Sequence, residues 1–93
     1  MDAAAETRDS IAARVKRVLV ETLDLSTDPG RLPEDTSLYS PLIQMDSLNL
    51  LHVSVALESE FGGRITEDDV LEADLEDVSS VIRLVETKLR QCI

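Results

Sequence analysis

Aromatic side chains are almost missing from this chain: Tyr39 and Phe61 are the only two, and tryptophan is absent. A core without large rings has to be assembled from Leu, Val, Ile and Ala, which suits packed helices better than a sheet. Cysteine is nearly absent as well. A lone Cys92 excludes a disulfide framework and a thiolate metal site, and it reads as a bystander beside a frayed end; a reducing compartment is expected. Basic residues are scarce, with 9 Lys and Arg against 19 Asp and Glu, for a formal charge of −10. Phosphate-rich nucleic acid and an anionic membrane surface would both repel such a chain. A basic protein surface is its natural counterpart, and solubility alone is the plainer explanation of the charge. Long apolar runs are also lacking. No N-terminal stretch suits a signal peptide or a membrane span, and Asp2, Glu6 and Asp9 make a poor transit peptide, so a cytoplasmic monomer is expected.

What is present reads as one all-α domain over residues 1–93, a small bundle of three main helices and one short helix with a long first loop. The first helix is expected over about 4–23, from Ala4, with Ile11, Val15, Val18, Leu19 and Thr22 on its apolar face. Arg14, Lys16, Arg17 and Glu21 are left as a solvated face. From Asp24 to Asp46 the helical period fails: Asp28-Pro29-Gly30 signals a turn, and Pro33 and Pro41 each block a helix interior. A loop this long is unusual in a compact domain and hints at function. Leu25, Leu32, Leu38, Leu42 and Ile43 should pin it across the core, with a short helical turn near Leu32.

The second helix, about 47–61, carries two apolar stripes. Leu50, Val53, Leu57 and Phe61 form the expected core face, while Leu48, Leu51 and Val55 are offset around the helix. The second stripe lines the lip of a cavity, meets a partner, or is buried under the long loop. Gly62-Gly63 ends this helix, Thr66 can cap a short helix over 66–72 with acids in its first turn, and a last helix over 77–90 buries Val78, Val81, Ile82, Val85 and Leu89, with Lys88 and Arg90 near its C-terminal end.

The stretch Met45-Asp46-Ser47-Leu48 bears most directly on chemistry. It places a nucleophilic hydroxyl at the start of an amphipathic helix, where unpaired N–H groups and the macrodipole tolerate an anion. Catalysis by this serine lacks support. There is no Gly-x-Ser-x-Gly elbow, and His52, the only histidine, lies five residues on, where a helix rotates it away from Ser47. An exposed or partner-facing role suits His52 better. The acids Glu67, Asp68, Asp69, Glu72 and Asp74 lack the alternation and central glycine of a calcium loop, so no metal site is expected and they read as solvated surface. Between Glu58 and Asp77 nine acids are opposed only by Arg64, a field that would steer basic partners.

With these residues in view, the chain resembles the acyl carrier proteins over nearly its whole length. Asp46-Ser47-Leu48 carries the resemblance together with Val55-Ala56-Leu57-Glu58-Ser59-Glu60-Phe61-Gly62, the Ile65 to Val70 segment, and a final helix opened by Leu75-x-x-Val78. The resemblance implies that Ser47 receives 4′-phosphopantetheine from coenzyme A through a magnesium-dependent phosphopantetheinyl transferase. The arm's thiol then holds an acyl group as a thioester, and the chain delivers it to acyl-transferring, synthase or ligase enzymes without being a catalyst. It also implies a supporting role for Asp46, for which holding the loop by hydrogen bonds is the plainer role. Leu48, Leu51, Val55, Glu58, Asn49 and His52 become the partner-facing set. Two departures from the family pattern stand out. Gln44 stands where a glycine is usual, which removes that residue's backbone freedom just before Ser47. Asn49, His52 and Ser59 stand where acids commonly line the helix, which suggests a specialised carrier in a dedicated fatty-acid-like, polyketide or other secondary pathway. Asp46 favours the acyl branch over aminoacyl or peptidyl carriers, which remain the alternative, followed by an unmodified acidic helical adaptor.

Overall fold

The computed structural model describes residues 7–91; the Ala4 start, the Arg90 side chain and Cys92 fall outside what it describes. Four helices form the bundle: α1 (Arg8–Leu23), α2 (Ser47–Phe61), α3 (Glu67–Ala73) and α4 (Val78–Gln91), with one 3-10 turn at Pro29–Arg31. The architecture is all-α, as the periodicity and composition imply.

Each boundary has a local cause. Thr7 is extended and its hydroxyl accepts the Ser10 N–H at 3.2 Å, so α1 begins at Arg8. Gly62 ends α2 in the left-handed region at φ 76°, where a side chain would be strained. At α3 the Thr66 hydroxyl accepts the Asp69 N–H while the Asp69 carboxylate accepts the Thr66 N–H, a reciprocal capping box. Asp77 accepts the Ser80 N–H at 3.0 Å and the Ser79 hydroxyl at 2.8 Å just before α4, and both bonds hold its carboxyl below the usual range.

The core draws on every long element. Ile11, Val15, Val18 and Leu19 of α1 meet Val53 and Leu57 of α2 and Val78, Val81, Ile82 and Val85 of α4, all buried. Thr22, expected on the same face of α1, is only half-buried. The long loop supplies Leu32, Leu38, Ile43 and Met45 as further buried members, with Leu25 packed at the margin. Leu42 corrects its expectation: it is 42% exposed, because the turn around Pro41 sends Ile43 inward and leaves Leu42 outside.

The loop is held by the opening turn of α4. An isolated antiparallel bridge joins Ser37 to Asp77. Leu38 N–H donates to the Glu76 carbonyl at 2.9 Å, Val78 N–H to Thr36 at 3.1 Å and Ser79 N–H to Glu34 at 2.8 Å. The first amides of a helix have no partner within it, and here the loop's carbonyls supply two of them. Irregular backbone thereby becomes fixed backbone.

The basic residues of α1 are not the plain solvated face their spacing suggests. Arg14 Nε donates to Glu60 Oε2 at 2.8 Å, its Nη2 reaches the Glu60 carbonyl at 2.8 Å, and its guanidinium lies 4.3 Å over the Phe61 ring. Arg17 meets the same carboxylate at 2.6 Å. Arg14 first and Arg17 second hold the Glu60 carboxyl below its ordinary range. Arg8 and Lys16 both reach Glu34 in the loop, at 2.7 and 3.8 Å. The cationic face therefore fastens α1 to the end of α2 and to the loop.

Candidate functional site

Asp46 sets the entry into α2. Its backbone is extended, its carboxylate accepts the Asn49 N–H at 2.8 Å, and its carbonyl accepts the Leu50 N–H at 2.8 Å. An acid in this position satisfies an otherwise unpaired donor and complements the helix dipole. Ser47 follows as the first helical residue, exposed, with no hydrogen bond to its hydroxyl among the described residues.

The chain arrives at Asp46 along a constrained path. Ile43 and Gln44 N–H groups both donate to the Ser40 carbonyl, at 3.1 and 2.8 Å, and Met45 N–H donates to Leu38 at 2.8 Å. Gln44 has φ 52°, the left-handed conformation that glycine adopts without strain. A residue with a full side chain therefore holds this left-handed position. The Gln44 amide donates to the Pro41 carbonyl at 3.0 Å, and the Asn49 amide reaches the Gln44 carbonyl at 3.5 Å, which ties the turn to α2. Gln44→Val, branched at Cβ, should lower stability by about 1 kcal/mol through added backbone strain, seen as an earlier urea midpoint with an unchanged slope.

Beside Ser47 lies an open groove of ≈ 440 Å³ between α2 and α3. Ser47, Leu50, Leu51 and Ser54 form one wall; Ile65, Thr66, Glu67, Val70 and Leu71 form the other. Ile65 also borders a small apolar cavity of ≈ 20 Å³ with Leu57, Phe61, Val85 and Leu89. The α3 wall escaped the sequence reading. Its signal was the pair Val70-Leu71, apolar residues in a short helix that is otherwise acidic, with no buried residue of its own.

The second stripe of α2 is not buried under the loop. Leu48, Leu51 and Val55 are 61%, 59% and 56% exposed. His52 is exposed on the same side, and Asn49 is half-buried. Glu58 is half-buried, and its carboxylate accepts the Ile65 N–H at 2.7 Å and braces the turn that leads into α3. No hydrogen bond joins Ser47 to His52, and among the described residues no three His, Cys, Asp or Glu side chains gather to hold a metal.

Asp69 shows how α3 is fastened. Lys88 of α4 reaches its carboxylate at 2.9 Å. The Thr66 backbone bond is the largest cause, with Lys88 next, of a carboxyl lowered from 3.8 to about 2. Ionised Asp69 thus favours the fold at every pH above the unfolded value, and this contribution fades as pH falls toward about 2. Lys88→Met should raise the Asp69 titration midpoint, followed by carboxyl NMR, yet leave it below 3.8 because the capping box persists.

Residues 13–85 match the phosphopantetheine attachment site family. Over 83 residues, 89% of this chain and 92% of the relative, the chain is 37% identical to an acyl carrier protein of Petrotoga mobilis (strain DSM 10674 / SJ95). The chain belongs to the acyl carrier protein family. The family's prosthetic group is 4′-phosphopantetheine, and the family-wide match covers α2, α3 and most of α4 as well as the loop. Among the described residues no helix of this carrier-family chain is long and apolar enough to cross a membrane.

Proposed function

We propose that the protein is an acyl carrier whose Ser47 bears the phosphopantetheine arm. The observation that carries this reading is an exposed, unencumbered hydroxyl at the first position of α2, at the mouth of a groove with an apolar floor. The surroundings fit the group. A phosphate ester on Ser47 would sit at the positive end of α2, and Leu50, Leu51, Ile65, Val70 and Leu71 offer apolar surface to an acyl chain. Loading would be a phosphoryl transfer: Ser47 Oγ forms the new bond to phosphorus as the adenine nucleotide of coenzyme A leaves, with the transferase supplying the magnesium. Asp46 acts chiefly as the cap that holds Ser47 in place.

The chain itself is a carrier and not a catalyst in this reading. Ser47 lacks a base, and the thioester chemistry belongs to partner enzymes: the transferase first, then acyl-transferring, synthase or ligase enzymes. The non-acidic residues Asn49, His52 and Ser59 on α2, of which His52 and Ser59 are exposed, favour a dedicated pathway over general fatty-acid synthesis. The test is to isolate the protein from its native host, weigh it intact, and weigh the group ejected from the arm. An arm carrying an acyl group supports the proposal. An aminoacyl group would favour a peptidyl-type carrier, and a chain of unmodified mass would leave only the adaptor.

A further inference from the structure

Two side-chain amides bracket Ser47. Residues 40–44 form a single helical turn: the Ile43 and Gln44 N–H groups both return to the Ser40 carbonyl, and Gln44 closes the turn at φ 52°. The next donor, the Met45 N–H, goes to the Leu38 carbonyl instead, which leaves the Pro41 carbonyl without a backbone partner in the turn. Gln44 Nε2 supplies the missing donor at 3.0 Å. On the far side of Ser47, the Asn49 backbone N–H donates to the Asp46 carboxylate at 2.8 Å, while the Asn49 side-chain Nδ2 reaches back to the Gln44 carbonyl at 3.5 Å. Pro41, Gln44 and Asn49 are thus linked in series around the stretch that carries Ser47, and buried Met45 pins the middle of that stretch to the core.

The two residues are matched. The Gln44 carbonyl needs a donor at position 49, which asparagine has and an ionised carboxylate lacks; aspartate there would set its charge against the carbonyl dipole. Glycine at 44 would supply the left-handed turn but no amide for Pro41. The departures from the family pattern at 44 and 49 are therefore one device and not two. We propose that Gln44 and Asn49 are positioning residues for the loading of Ser47, a role that rests on the carrier reading. In loading, the Ser47 Oγ–phosphorus bond forms while the pyrophosphate bridge of coenzyme A breaks; the electron pair leaves with the adenine nucleotide, and the hydroxyl proton passes to a base of the transferase. Neither amide touches the reacting atoms. They act through the backbone on both sides of Ser47, whose hydroxyl must line up with phosphorus, and a displacement of about 1 Å at such a centre can cost up to about a hundredfold in rate.

Loading assays by intact mass, with coenzyme A, magnesium and a broad-specificity phosphopantetheinyl transferase over a range of carrier concentrations, give kcat and KM for each chain. Asn49→Ala should lower kcat about threefold and Asn49→Asp about fivefold or more, with KM within about twofold of wild type. Adding Gln44→Gly to Asn49→Asp should restore kcat to within about twofold of wild type, because the freed backbone can turn its carbonyl away from the carboxylate. Thermal midpoints should stay within about 3 °C throughout, since neither side chain belongs to the core. Backbone amide exchange at Gln44 and Met45 should quicken in Asn49→Asp and slow again in the double variant. Unchanged kcat in both Asn49 variants, a loss carried by KM, or a double variant as slow as Asn49→Asp alone would overturn the positioning role. A wild-type chain that accepts no arm ends the carrier reading and the positioning role together. A wild-type chain that loads beside equally fast variants keeps the first and loses the second.

Discussion

Leu38→Ala should cost about 3 kcal/mol of stability, a typical value for truncating a fully buried leucine that leaves a cavity behind. For a domain of this size that corresponds to a fall of roughly 12–24 °C in the thermal midpoint, and it is a large share of a typical total of about 5–15 kcal/mol. Leu38 lies in what the sequence presents as a loop, yet it is 1% exposed. Its N–H donates to Glu76 and its carbonyl accepts from Met45, so its neighbours cannot easily collapse into the space left. Calorimetry on both proteins checks this. A fall of only a few degrees would mean that the loop is draped over the core without being part of it.

Leu51→Asp should do the opposite. Leu51 is 59% exposed and its side chain borders the open groove, so the thermal midpoint should stay within about 2 °C, as for most surface substitutions. The catalytic efficiency of loading by a phosphopantetheinyl transferase should nevertheless fall about tenfold or more, because a charge placed at the centre of an apolar contact is desolvated without a partner. The two measurements together decide the role of the residue. A large loss of stability would assign Leu51 to the core, and unchanged loading would remove it from the transferase contact.

The contrast between these leucines marks how far the sequence could be read. Helical spacing located α2 and α4 and their core faces, since amphipathic period is a local signal. Thr66 announced α3 because an N-cap is written in adjacent residues. Leu32, Leu38 and Ile43 were legible as apolar punctuation in a polar stretch, but the loop's course was not. It depends on Thr36 and Glu34 carbonyls meeting Val78 and Ser79 amides some forty residues away, a pairing with no local signature. The same distance hid the Arg14–Glu60 clamp, so three cations on one helix read as solvated when two of them share a carboxylate.

The candidate site divides in the same way. Asp46-Ser47-Leu48 was visible as a motif, and the exposure of Leu48, Leu51 and Val55 resolves the question their spacing left open in favour of a surface strip. Glu58 looked like one more surface acid, because nothing in its neighbours reveals that the chain turns at Gly62-Gly63 to bring the Ile65 N–H onto it. Gln44 is the converse case. The residue type argues for a changed backbone, while φ 52° keeps it in the left-handed region, with the turn's hydrogen bonds to Ser40 and Pro41 offsetting the strain.

The central claim is that Ser47 is the anchor of the arm. Its most direct test is to incubate wild-type protein and Ser47→Ala with coenzyme A, magnesium and a broad-specificity phosphopantetheinyl transferase, weigh both intact, and locate any added group by fragmentation. One phosphopantetheine on the wild type, attached at Ser47, and none on Ser47→Ala of unchanged thermal midpoint is the predicted result. A group on Ser47→Ala, or a wild-type chain of unaltered mass with several transferases, would contradict it.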